Sequence, residues 1–274
     1  MKTVVITGST SGIGNLLVRD FIAQGCKVFA GYRNEDLKEE LQAISPNIIP
    51  FYIDMAKKET VSTAAAFISE KTEKIDTLIN AAGCVFAGAM ECLSVDKIRE
   101  QFEVNTFSHL QLTQELFSKL DGGKVINISS MASFGVFPFV APYCASKRSL
   151  DILFNSMAIE CGGNFKIVAI KPGVIKTPLW SKSIENNQES LSENKKYTKE
   201  FEFLAKNAQK NSKKGLDAQE VSDFIVKIEG LKNPKPSYTI GADAKGAEIF
   251  SHFPQSWINW IVKESLKDRI KKMG

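Results

Sequence analysis

Six short apolar runs rich in β-branched residues, at positions 3–7, 27–31, 48–53, 77–80, 124–129 and 166–171, alternate with longer stretches of helical periodicity. The runs are hydrophobic almost without interruption, the pattern of strands buried on both faces rather than one. Helical periodicity falls at 13–24, 35–43, 57–71, 94–120 and 143–160. Parallel pairing of successive strands needs a crossover of a dozen or more residues, and such crossovers are right-handed. The order of elements therefore predicts an α/β fold: a doubly wound parallel sheet with helices on both sides.

The pattern breaks at 177–215, which carries Ser183, Glu185, Asn186, Gln188 and Glu189 and places Phe201, Leu204 and Ala208 on one helical face. A polar excursion after the sixth strand is either a pair of solvated surface helices or a mobile lid over a site. A further helix is expected at 217–229 and a last strand at 237–240, so that 237–274 forms a C-terminal strand and tail. All 274 residues are expected to make one domain, a length that α/β folds accommodate.

Charge and composition narrow the function. With 35 Lys and Arg against 31 Asp and Glu, and no basic block before the last few residues, nucleic acid is not the expected partner, because phosphate binding demands a concentrated basic stripe. Five widely spaced cysteines without a C-x-x-C, and two distant histidines (His109 and His252), point to neither a disulfide framework nor a metal site and favour a reducing, cytoplasmic setting. The first strand begins at the third residue, so no signal peptide is expected. No apolar stretch reaches the roughly 18 residues of a membrane span.

The first strand ends in Thr7-Gly8-Ser9-Thr10-Ser11-Gly12-Ile13-Gly14, directly before a helix. Glycines let the backbone approach a diphosphate closely, and the helix N-terminus offers it unpaired N–H groups. The spacing G-x-x-x-G-x-G differs from the better-known G-x-G-x-x-G, but its place in the first βαβ unit marks a dinucleotide site. The second strand ends in Tyr32-Arg33, where an NAD site usually carries an acid for the ribose 2′-hydroxyl. A guanidinium there suits a 2′-phosphate, favouring NADP(H); the alternative for Arg33 is an exposed cation at a helix start. Asp54, after the third strand, either reaches the adenine or forms an ordinary Asx turn.

Tyr143-Cys144-Ala145-Ser146-Lys147 sets a phenol and an ammonium one helical turn apart. A cation roughly 5 Å from the phenolate, at an effective dielectric of about 20, stabilises it by on the order of 3 kcal/mol. That corresponds to a fall of about two in pKa and would fit Tyr143 for general acid or base work. Ser130, at the end of the fifth strand, is placed to hydrogen-bond a reacting oxygen as charge develops. Asn80-Ala81-Ala82-Gly83 ends the fourth strand with residues small enough for close cofactor approach.

With these motifs in this order, residues 2–177 resemble the short-chain dehydrogenase/reductase family, a Rossmann-like fold. The matching residues are Thr7–Gly14, Asn80–Gly83, Asn105 in the long fourth helix, Ser130, Tyr143–Lys147, and Pro172-Gly173-Val174 with Thr177 after the sixth strand. The resemblance implies that Tyr143 donates or accepts the proton, and that Lys147 lowers its pKa and binds the nicotinamide ribose. It implies that Ser130 orients the substrate carbonyl and Asn105 holds a water linked to Lys147. The cofactor would be held by Gly8, Ser9, Ser11, Gly12, Ile13, Gly14, Tyr32, Arg33, Asp54, Asn80, Ala81, Gly83, Tyr143, Lys147, Pro172, Gly173, Val174 and Thr177. Hydride chemistry of this kind needs no metal. Homodimers or homotetramers are implied as well.

Phe86, Phe134, Val136, Phe137, Phe139, Val140 and Trp180 lie near these motifs and predict a bulky apolar carbonyl or alcohol substrate, unless several of them are core or subunit contacts. Residues 237–244 with Phe253-Pro254 resemble the branch of 17β-hydroxysteroid and retinol dehydrogenases and acyl-dihydroxyacetone-phosphate reductases, implying steroid-like, retinoid-like or acyl-lipid substrates. Trp257, Ile258, Ile261 and Val262 beside Lys263, Lys267, Arg269, Lys271 and Lys272 either form an interfacial helix with peripheral membrane contact or pack on the domain or a sister subunit. Two other functions compete. A non-catalytic NADP-binding regulator would not need Tyr143, Lys147, Ser130 and Asn105 together, and a nucleotide-sugar epimerase or dehydratase would need a larger C-terminal domain than the 97 residues after Thr177.

Overall fold

A computed structural model describes residues 1–177, 195–202, 205–206 and 215–271. Seven parallel strands form one sheet in the order β3-β2-β1-β4-β5-β6-β7. They are β1 (Thr3–Ile6), β2 (Lys27–Tyr32), β3 (Ile48–Tyr52), β4 (Thr77–Asn80), β5 (Lys124–Ile128), β6 (Lys166–Pro172) and β7 (Ser237–Ile240). The helices are α1 (Gly12–Ala23), α2 (Lys38–Ile44), α3 (Lys58–Lys71), α4 (Val95–Phe102), α5 (Ser108–Glu115), α6 (Ala141–Glu160), α7 (Ala218–Glu229), α8 (Ala242–Phe250) and α9 (Gln255–Lys271). The doubly wound parallel sheet expected from the alternating pattern is present.

Alternation along each strand divides the core in two. Val5, Phe29, Leu78, Val125 and Ile167 face one side, with α3, α5 and α6. Val4, Ile6, Val28, Ile79, Ile126 and Val168 face the other, with α1 and α7. Both layers exclude water, which is why the strand sequences show no polar alternation. Pro50 is tolerated because β3 is an edge strand.

The chain starts at β1, builds outward to β3, then crosses to β4 on the other side of β1. At such a reversal the crossovers on either side diverge and leave a crevice at the carboxyl ends of the strands. Two departures from the periodic reading bear on the cleft. The helix expected over 94–120 is interrupted by a π-helical turn, Glu103–Phe107. Inside it Asn105 and Thr106 are fully buried, and the extra residue in the turn lets both side chains leave the helix for partners elsewhere. Most of the 177–215 excursion lies outside the described residues. Within it, Tyr197 and Phe201 pack edge-to-face on each other and on Phe139, and Lys196 pairs with Glu91.

Helix α6 begins with Pro142 in its first turn, where no intrahelical donor is lost. It turns Tyr143, Lys147, Leu150, Asp151 and Phe154 to the interior, the i, i+4, i+7, i+8, i+11 stripe of a core-facing helix. Phe154 anchors this helix in the first core layer. Phe154→Ala should lower unfolding free energy by about 3–5 kcal/mol in urea titrations, with a lower denaturation midpoint and a nearly unchanged slope.

Candidate active site

One cleft of about 1170 Å3 opens at the carboxyl ends of the strands. Its floor is the turn after β1. Gly8 adopts φ +67°, and a Cβ on it would lie 2.9 Å from Ala82 Cα; a Cβ on Gly14 would lie 2.2 Å from the Gly8 carbonyl oxygen. Only glycine fits at either position. Thr7 sits beneath this turn, its hydroxyl accepting hydrogen bonds from the Ala81 and Ala82 amides at 3.0 and 3.1 Å. It ties the glycine turn to the loop after β4. The Ser11 side chain makes no cap hydrogen bond at the start of α1, and Gly12, Ile13 and Gly14 of its first turn line the cleft, where a helix N-terminus suits an anion.

Gly8, Ser11, Gly12, Ile13, Gly14, Tyr32, Arg33, Asp54, Ala81, Gly83, Ser130, Tyr143, Lys147, Pro172, Gly173, Val174 and Thr177 all line the cleft. Arg33 is exposed there and forms no ion pair among the described residues. Asp54 serves as an Asx turn as well, accepting from the Ala56 amide at 3.1 Å. Three expected site residues lie behind the cleft wall. Ser9 donates its hydroxyl to the Ile6 carbonyl, and Asn80 donates to the Asn127 side chain at 2.8 Å across β4 and β5.

Asn105 is the third. Its Nδ2 donates to the Cys84 carbonyl and Ser146 Oγ, at 2.9 and 3.0 Å, while its Oδ1 accepts from the Cys84 amide at 2.9 Å. Both amide hydrogens are therefore spent on protein. The side chain clamps the loop after β4 to α6, the helix that carries Tyr143 and Lys147.

The electrostatics differ from expectation at Tyr143. Burial pushes the phenol up to about 12, opposed by a hydrogen bond from Ser130 that favours the phenolate. Burial is the dominant influence on the phenol, and the Lys147 ammonium is turned to the Ile128 carbonyl, 2.8 Å away. Desolvation lowers Lys147 to about 8, with Asp151 acting in the opposite direction. At neutral pH the pair is thus a protonated phenol beside a hydrogen-bonding serine, next to a buried lysine close to its own titration point. Such a phenol is a proton donor in waiting.

Of the expected apolar wall, Phe86, Phe137 and Val140 line the cleft. Phe134 lies under the Lys171 ammonium, Val136 is exposed, and Phe139 packs on Tyr197 and Phe201. Trp180 lies outside the described residues. Thr10 and Cys84 also line the cleft without having been singled out; Thr10 was legible as part of the glycine turn, whereas Cys84 carried no signal of its own.

The short chain dehydrogenase family model matches residues 2–188. The uncharacterized oxidoreductase YusZ of Bacillus subtilis is 30% identical over 97% of this chain and 98% of its own length. The NADPH-dependent 3-dehydrocapnine reductase of Ornithobacterium rhinotracheale is 29% identical, with 88% of each chain covered. A short-chain dehydrogenase from Streptomyces avermitilis superposes with a TM-score of 0.75 at 21% identity, covering 97% of this chain and 96% of its own. A glycine turn that only glycine can build, a serine–tyrosine hydrogen bond in the same cleft, and a family match over most of the sequence lead to one conclusion: this chain belongs to the short-chain dehydrogenase family of oxidoreductases.

Proposed function

We propose that the protein is an NADP(H)-dependent oxidoreductase interconverting a ketone or aldehyde and an alcohol on a bulky apolar substrate. The observation that carries this reading is the meeting of Ser130, Tyr143 and Lys147 in one cleft with the glycine cradle. The cradle, the amides at the start of α1 and the cleft-lining Arg33 fit a phosphorylated dinucleotide. A bound nicotinamide would supply the hydride. Arg33 would meet the 2′-phosphate, and Pro172, Gly173, Val174 and Thr177 would border the nicotinamide.

Ser130 holds the substrate oxygen beside the phenol and stabilises charge that develops on it. Tyr143 gives that oxygen its proton in reduction and takes it back in oxidation. Lys147, cationic below about pH 8, compensates the phenolate left behind. Phe86, Phe137 and Val140 present apolar surface to the substrate, in keeping with a steroid-like, retinoid-like or acyl-lipid carbonyl. A binding-only regulator leaves this proton donor without a use, and a nucleotide-sugar epimerase leaves the apolar wall without one.

The last helix extends the reading. Ile258 is buried, while Trp257 and Trp260 are 60% and 66% exposed. Phe253 stacks on Trp257 at 6.5 Å between ring centroids, and exposed Lys263 and Lys267 lie on the flank of this face. Exposed Trp bordered by lysine suits an anionic lipid surface, where an apolar substrate partitions. Among the described residues no helix is long and apolar enough to cross a membrane, so contact would be peripheral. Assembly as a homodimer or homotetramer follows from the family resemblance.

A screen of NADPH oxidation against steroid, retinoid, acyl-ketone and quinone carbonyls should identify an apolar substrate; turnover confined to small polar carbonyls would reject the substrate class. Tyr143→Phe should retain NADPH binding by fluorescence titration and lose roughly a hundredfold or more in turnover. Arg33→Asp should shift the NADPH/NADH preference by roughly tenfold or more toward NADH, the scale of a lost charged hydrogen bond, and an unchanged ratio would refute the 2′-phosphate contact. The wild type should sediment with phosphatidylserine-containing vesicles and Trp257→Ala/Trp260→Ala should not; a wild type that stays in the supernatant contradicts the lipid contact.

A further inference from the structure

Asp151 lies one helical turn beyond Lys147 on the inward face of α6, so that phenol, ammonium and carboxylate follow at i, i+4 and i+8. It is buried, and its carboxylate pairs with the Lys171 ammonium at 3.0 Å. Beyond that ion pair, neither carboxylate oxygen accepts a hydrogen bond among the described residues. Lys171 in turn sits 4.6 Å from the centroid of the Phe134 ring, in the turn that follows Ser130, and immediately precedes Pro172. One ion pair thus joins α6, the serine turn and the end of β6.

Stability does not account for this arrangement. Two charges taken out of water recover little beyond their desolvation cost, and an apolar pair of the same volume does as well or better. The position beside Lys147 does account for it. We propose that Asp151 is the counter-charge of the proton relay, a positioning residue that acts on the substrate only through Lys147. The inference rests on the function proposed above.

The groups facing Lys147 come from every element around it. Tyr143 and Asp151 belong to α6, Cys84 to the loop after β4, His109 to α5, and the Ile128 carbonyl to β5; Lys171, on β6, is met by Asp151. Burial holds Tyr143 near 12, Cys84 near 12 and His109 near 3. All three are uncharged at neutral pH. Asp151 supplies the negative charge that resists the loss of the Lys147 proton to desolvation. With Lys171 included, the row of three charges carries a net single positive charge next to the phenol.

The pH dependence of kcat/KM for carbonyl reduction tests this. In the wild type, activity should fall as pH rises through about 8, where Lys147 loses its proton. Asp151→Asn should move that alkaline limb down by about one pH unit or more, and Asp151→Glu should keep it in place. Asp151→Asn/Lys171→Met, which leaves no buried charge of the pair behind, should also show the limb below the wild-type position. An unmoved limb in the Asn variants would overturn the assignment, even if they unfold more readily, because that is the signature of a purely structural pair. Tyr143→Phe run alongside separates the two failures. If it stays active, the proposed function falls; if it is inactive and the limb is unmoved, only the role of Asp151 falls.

Discussion

A buried ammonium is the most demanding group in this molecule, and the site is arranged around it. Lys147 lies on the inner face of α6, where little water reaches its charge, and donates to the Ile128 carbonyl at the end of β5. Placing it there requires α6 to cross the end of β5 at a fixed height, which Leu150 and Phe154 secure by packing into the first core layer. The helix is held from its other side by Asn105 through Ser146, and by Thr106, whose hydroxyl donates to the Ser146 carbonyl at 2.9 Å. The π-helical turn exists where these two polar side chains must reach across. Its extra residue makes both reaches possible.

The fold was largely legible because strands buried on both faces leave an unmistakable hydrophobic record. Parallel pairing and right-handed crossovers followed from connection rules alone, whereas the strand order and the crevice at the β1/β4 reversal came from the structure. The site was legible where chemistry is local: glycines with a positive φ, a serine at a strand end, a tyrosine and lysine one turn apart. It was not legible where the partner is distant. Nothing near Asn105 announces that its amide is spent on Cys84 and Ser146, and nothing near Thr7 announces its link to the loop after β4. The sign of the Tyr143 shift was missed for a related reason. Spacing gives the separation of two charges along a helix, but desolvation depends on everything packed around them.

The aromatic residues between Ser130 and Tyr143 illustrate the same limit. Their sequence reads as one hydrophobic cluster, yet the structure divides it among three tasks. Phe137 and Val140 border the cleft, Phe134 supports a lysine, and Phe139 joins Tyr197 and Phe201. Phe139 itself takes φ +67°, a left-handed conformation rare outside glycine. Its carbonyl accepts from the Gly88 amide at 2.7 Å, fixing that bend.

The seating of Phe139 has an evolutionary consequence. The glycine turn is built from Gly8–Gly14, whereas the aromatic trio joins a bend, held to the loop after β4 through Gly88, to residues 197–201 beyond β6. None of the three rings lines the cleft, so drift among them leaves the residues of its wall untouched.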